Sequence, residues 1–301
     1  MCRGLCNVSM ASRIENGERI PSRKLIGALF SRIGECPPRG KLLMTRIDFE
    51  MRNLEYKIIM KRSDFEMRNL EYKMIALVAE EQFEIKELLD KYISLHEHPT
   101  PLEQQFYEMY KAAYLRRHDG DKNEVKELFL HAIHITIKDF TLSTFTKQKF
   151  FTQTEIGIMN SIANVLYYEF DEKESAINIL ERVMQYFSSP ILNEKLIIPN
   201  KILLSFNLSN WHDLAGNPQK ALEYAKKGVQ LSIRHGRLDL LPYLVFNKGY
   251  MTAELGNKTD GETDLLNSFI LFDEMKMHHN VEYALPIVNE KFGLSFSIDK
   301  I

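Results

Sequence analysis

The chain is 301 residues long, 45% hydrophobic and nearly neutral, with a formal charge of −2. That length exceeds one small domain and suffices for a compact domain joined to a larger array. Three cysteines (Cys2, Cys6 and Cys36) are too few and odd in number for a disulfide framework. The first residues lack the apolar core of a signal peptide, and apolar runs such as LLPYLVF at 240–246 are far too short to span a bilayer. A soluble protein of the reducing cytoplasm, with no membrane partner, is the expectation.

Charge is spread unevenly. Met1–Arg46 carry nine Lys/Arg and three Asp/Glu, a balance of +6, which leaves −8 for the rest. A basic head on an acidic body predicts that only the head meets nucleic acid. Within the head, CRGLC at Cys2–Cys6 reads as the end of a helix. Ser9 is an N-cap, its hydroxyl able to accept from an orphan N–H one turn on, and Gly17 sits where a helix wants a left-handed residue. The two-turn helix between them puts Ala11 and Ile14 on one face and Met10, Arg13 and Asn16 on another. Pro21-Ser22 resets the chain, and a second helix follows with Leu25, Ile26, Leu29, Phe30 and Ile33 on one side, stopping at Gly34. A short helix with a polar outer face, flanked by helices and positive charge, is what reading the major groove requires.

VSMASRIENGERIPSRKL resembles the recognition helix and the following helix of Cro/C1-type (XRE) helix-turn-helix domains, through its serine, its Arg-Ile-Glu-Asn-Gly run and the Pro-Ser after it. The resemblance implies that Ser9, Met10, Arg13 and Asn16 face DNA and that Arg19, Arg23 and Lys24 lie near phosphates. Such domains begin with a complete first helix and a full second one, whereas here only the end of the second precedes Ser9. A truncated head with weakened DNA binding is therefore expected, with Ile14, Leu29 and Phe30 partly exposed for want of their core.

DFEMRNLEYK then occurs twice, at Asp48–Lys57 and, sixteen positions later, at Asp64–Lys73. Ten identical residues in a row mark a tandem duplication rather than a fold repeat. Both copies read as helix, and the extra copy adds a spacer of roughly four turns, about 24 Å. It is either a tolerated insertion or a change in head-to-body geometry.

From about Phe65 the pattern is helix after helix, in units recurring at roughly forty to fifty residues. The clearest is LSNWHDLAGNPQKALEYAKKGVQLSIRHG at Leu208–Gly236: a helix ends at Ala215-Gly216, Asn217-Pro218 turns, and a second helix carries Ala221, Leu222, Tyr224 and Ala225. LGN at Leu255–Asn257 repeats the AGN turn forty positions on. YYEFDEKESAINILERVMQYF has the same shape, with Ala176 in the place of Ala221, and YLRRHDGDKNEVKELFLHAI and VAEEQFEIKELLDKYISL are weaker copies. These units, covering about 65 to 292, resemble tetratricopeptide repeats, whose stacking gives a superhelix with a concave surface. The expected fold is thus all-α, a partial helix-turn-helix head followed by a tetratricopeptide-like α-solenoid. The expected boundaries are head 1–45, helical linker 46–64 and repeats 65–301.

A Cro/C1-type head on a degenerate repeat body resembles the peptide-pheromone-responsive regulators of the RNPP group, in particular its Rgg- and PlcR-like branch. The resemblance implies a homodimer formed by the repeat body and a short signalling peptide bound on the concave face by the first helix of each repeat. Those helices carry Asn160, Asn164, Asn207, Asn210 and Asn247. An Asn amide both donates and accepts, which suits gripping an extended peptide, although ordinary helix-surface asparagines have the same pattern. Trp211, Phe246 and Tyr250 are pocket walls or core. No Gly-rich phosphate loop or zinc-protease signature is present, so neither an enzyme nor a cofactor is expected. Glu127, His131 and His134 share a helix face without the remaining features of a metal site. The alternative to a DNA-binding regulator is a protein-binding inhibitor or scaffold built from the repeats alone.

Overall fold

The computed structural model describes residues 4–6, 8–15, 25, 28, 32, 70, 85–95, 99–142, 151–188, 192 and 194–297. Among them all regular secondary structure is α-helical, and no helix is long and apolar enough to cross a membrane. The chain forms two compact units, Met1–Glu172 and Lys173–Ile301. The expected boundaries near 45 and 64, the duplicated decapeptides except Leu70, and Asn16, Arg19, Arg23 and Lys24 lie outside the described residues.

The first unit contains α1 (Val8–Glu15), α2 (Ile85–Ser94), α3 (Pro101–Arg117), α4 (Lys122–Thr136) and α5 (Gln153–Glu169). Local chemistry starts three of them. Thr100 caps α3 through a reciprocal box: its N–H donates to Glu103 Oε2 at 2.7 Å while its hydroxyl accepts from the Glu103 N–H, with Pro101 in the first turn, where no N–H is missed. Asp121 Oδ1 accepts from the N–H groups of Asn123 and Glu124 to start α4. Thr152 and Glu155 repeat the box at α5. Tyr92, Phe106 and Tyr110 join Leu70 and Leu89 in a cluster between α2 and α3, while Phe129 and Ile133 of α4 and Ile156 and Met159 of α5 are all at most 1% exposed.

The N-terminal residues are part of this unit. Leu5 and Leu25 form an apolar cluster with Leu102 of α3, against which Cys6, Met10 and Ala28 pack. Gly4, at φ +79°, lies so close to the Thr136 carbonyl that a Cβ would overlap it. Arg32, 2% exposed, pairs at 2.5 Å with the fully buried Glu155. Glu155 Oε1 also accepts from the Thr136 hydroxyl at 2.7 Å, and Gln105 Nε2 donates to Thr136 Oγ1 at 2.8 Å. A buried polar chain thus runs from Arg32 through α5 and α4 to α3.

The second unit contains α6 (Lys173–Tyr186), α7 (Glu194–Leu214), α8 (Pro218–His235), α9 (Leu241–Glu254), α10 (Lys258–Glu274) and α11 (His278–Phe292). Successive helices pack on one another from α6 to α11. The turns expected at AGN and LGN are present: Gly216 (φ 73°) and Gly256 (φ 98°) take left-handed conformations. The following N–H closes each helix end, Asn217 on His212 O at 2.8 Å and Asn257 on Thr252 O at 3.1 Å. Lys276 closes α10 in the same way at φ 58°, with Met277 N–H on Phe272 O at 2.8 Å, a strained choice for a residue with a Cβ. Trp211, Ala221 and Ala225 are fully buried, so Trp211 is core. Gly249 and Gly261 mark where α9 and α10 come closest, since a Cβ on Gly261 would lie 2.6 Å from Ala253 N.

Candidate functional site

The amide side chains proposed from the sequence fall in both units and are all half-buried. In the second unit, α7 and α9 bring three of them onto neighbouring helices. Asn247 Nδ2 donates to Asn210 Oδ1 at 2.6 Å and lies 3.4 Å from Ser209 Oγ, whose hydroxyl donates to Ala221 O at 3.0 Å. This arrangement holds both amide planes in register. It also leaves Asn210 Nδ2 and Asn247 Oδ1, one donor and one acceptor, with no partner among the described residues. An extended peptide offers the complementary pair, one C=O and one N–H. Asn207 lies one turn before Asn210 on α7.

The helices that carry the amides also carry a set of contacting aromatic side chains. Phe206, one turn before Asn210, meets Tyr243 of α9 at 5.7 Å between ring centroids, and Tyr243 meets Phe272 at 4.9 Å. Phe246 stacks on Tyr250 at 5.9 Å, and Tyr250 meets Phe292 edge-on at 5.1 Å. Phe246 and Tyr250 are only partly buried, so they wall the face while packing against the Leu265–Val288 core. At one end, Lys291 Nζ donates to Tyr250 Oη at 2.7 Å and to Glu254 Oε1 at 3.0 Å, and lies 4.3 Å from the centre of the Tyr250 ring. Burial works to lower this ammonium, but the bonds to Tyr250 and Glu254 outweigh it and hold it above its ordinary value. Asp213 is pushed up by burial and then by Glu254, against the opposing Lys291. These aromatics supply apolar contact and the amides supply direction, a combination suited to a short apolar peptide.

A separate polar cluster, with His212 buried and Glu181 partly exposed, centres on Glu181 of α6. Its Oε1 accepts from His212 Nε2 at 3.1 Å and from Lys220 Nζ at 3.3 Å, and the Tyr224 ring lies parallel to His212 at 5.6 Å. Burial and Glu181 push the Tyr224 hydroxyl up to about 12. Burial lowers His212 below its ordinary 6.5 despite Glu181, and its Nδ1 is buried without a partner. A folded pKa below the unfolded one means that the unfolded chain binds more protons between the two values. Stability present above pH 6.5 is therefore lost as pH falls through that window. Urea titrations of Trp211 fluorescence, the sole tryptophan, will show a lower midpoint at pH 5.5 than at 7.5, and His212→Gln will flatten that difference. An equal slope in the variant would remove His212 as the cause.

In the first unit, Asn164 Nδ2 donates to Asn160 O at 2.8 Å on its own helix. On α1, Ser9, Ser12 and Arg13 are exposed, whereas Met10 is partly buried and packs against the Leu5–Leu25–Leu102 cluster. The Glu127, His131 and His134 set does not converge: His131 Nδ1 lies 2.9 Å from Glu108 Oε2, and His134 Nε2 is 2.9 Å from Phe140 O. Among the described residues no group of three His, Cys, Asp or Glu side chains could hold a metal ion.

Helix, left-handed turn, helix, with small residues at the crossings, defines an all-α array of tetratricopeptide-like repeats. Its likeness to solved structures extends along most of the chain. PlcR of Bacillus thuringiensis, in complex with the peptide PapR7 and DNA, is similar at 19% identity, over 93% of this chain and 90% of that one, with a TM-score of 0.59. The apo form of the same protein is similar at 17% identity, over 92% of each chain, with a TM-score of 0.57. The apo form of RapI is similar at 13% identity, over 76% of this chain and 60% of that one, with a TM-score of 0.51. No family model matches the chain, and no curated protein sequence matches it.

Proposed function

We propose that this chain is a cytoplasmic DNA-binding transcriptional regulator whose repeats sense a short, largely apolar signalling peptide, and that it acts as a homodimer through the repeat body. The observation that carries the peptide reading is the donor–acceptor pair of Asn210 Nδ2 and Asn247 Oδ1, without a partner among the described residues and on helices that carry partly exposed aromatics. The likeness in fold to PlcR, a protein solved with both a peptide and DNA, supports it.

Calorimetry with synthetic peptides encoded beside the gene tests this reading. The wild type will bind a cognate peptide, and Asn247→Ala will weaken it about tenfold, because peptide backbone groups are left unsatisfied in the site. Equal affinity in both proteins would remove the amides from the site. No binding by any such peptide would turn the reading toward a protein-binding inhibitor.

DNA recognition is assigned to residues 1–45, with Ser9 and Arg13 on the exposed side of α1. Arg13→Ala will weaken operator binding in gel-shift titrations by about 1–3 kcal/mol. An unchanged shift would take α1 out of the DNA interface.

A further inference from the structure

The first unit holds a cavity of about 410 Å³ lined by Ala113, Arg116 and Arg117 of α3, Phe129 of α4, and Ser161 and Glu169 of α5. Small side chains leave this room. Ala113 and Ser161 face it, and one turn before Ser161 a Cβ on Gly157 would meet nothing within 4 Å. The two arginines are not equivalent. Arg116 Nε is held by Glu169 Oε1 at 2.5 Å, so the one carboxylate of the cavity is already matched. Arg117 is exposed and makes no hydrogen bond or ion pair among the described residues. The cavity therefore carries one uncompensated guanidinium fork, a shape that receives a planar two-oxygen anion.

We propose that this cavity binds a carboxylate of a peptide ligand, with Arg117 as the fork; the inference rests on the peptide reading above. The carboxylate belongs either to the peptide C-terminus or to an acidic side chain, and the probes separate the two.

The immobilised full chain is exposed to three pools of synthetic apolar heptapeptides, and retained peptides are identified by mass spectrometry. The first pool has free C-termini and no Asp or Glu, the second is amidated without Asp or Glu, and the third is amidated with one Asp. The first or third pool will be retained about tenfold more than the second, the first marking the C-terminus and the third a side chain. Arg117→Gln, a change at an exposed position, will abolish that preference. Ser161→Leu, which fills the cavity without altering charge, will do the same, and unchanged hydrogen exchange in α3 and α5 will show that both variants are folded. Equal retention of all pools, or an unaltered preference in both variants, overturns the carboxylate site and leaves the peptide reading standing. Retention of nothing by the wild type overturns both.

Discussion

Glu155→Ala will destabilise the first unit by about 3–5 kcal/mol, the penalty for removing one member of a buried ion pair. Arg32 is 2% exposed and Glu155 fully buried, so water cannot take the place of the carboxylate beside the guanidinium. Two further bonds fail with the carboxylate, and a third loses its support. Thr136 loses its acceptor, the Thr152 N–H loses Oε2 and the capping box of α5 opens, while the Gln105 link to Thr136 loses its anchor. Arg32→Met should do less harm. It leaves Glu155 with the Thr136 hydroxyl and the Thr152 N–H, and it replaces the buried guanidinium with an apolar side chain. The ordering, Glu155→Ala well above Arg32→Met, is the specific expectation. Hydrogen exchange of α5 amides reads it directly, because the sole tryptophan, Trp211, belongs to the other unit. Losses below about 1 kcal/mol in both variants would show that the pair is solvated.

That pair also shows where sequence reading stops. The helix-after-helix pattern, the AGN and LGN turns and the small residues Ala176, Ala221 and Ala225 were legible, because each is a local rule about caps, left-handed residues or helix crossings. A 123-residue separation between Arg32 and Glu155 obeys no local rule. In the sequence Glu155 is simply the third residue after Thr152, a capping position, and its pairing with Arg32 depends on tertiary packing. The same holds on α1. Helical spacing put Met10 beside Arg13 and Asn16, but Leu102 of α3 offers an apolar partner that spacing does not reveal. At the candidate site the asparagines were legible as residue types at repeat positions. Their division was not: Asn210 and Asn247 bond each other across two helices, whereas Asn164 bonds its own helix. Lys276 takes the left-handed turn conformation without being glycine, so no local rule in the sequence marks it.

Gly261→Ala should destabilise the second unit by about 1–3 kcal/mol, although the change adds one methyl group to a helix and raises helix propensity. The reason is what the new Cβ meets. At Gly261 it would lie 2.6 Å from Ala253 N and 2.7 Å from Ala253 Cβ, atoms of the backbone and first side-chain carbon of α9 that cannot rotate away. Gly228→Ala provides the contrast. Its new Cβ would meet the terminal methyl groups of Leu244 at 2.5 and 2.9 Å, and a leucine can change rotamer to make room. A smaller loss is expected there, under about 1 kcal/mol after the gain in helix propensity. Urea unfolding followed by Trp211 fluorescence compares the two, and equal losses would mean that the α9–α10 contact is no tighter than the α8–α9 one. The comparison bears on function because α9 carries Asn247, Phe246 and Tyr250. Forcing α9 off α10 shifts Asn247 against Asn210 on α7, whose mutual bond is 2.6 Å long and has no slack to follow. Gly261→Ala should therefore lower peptide affinity even in conditions where the unit remains folded, and Gly228→Ala should leave it close to that of the wild type.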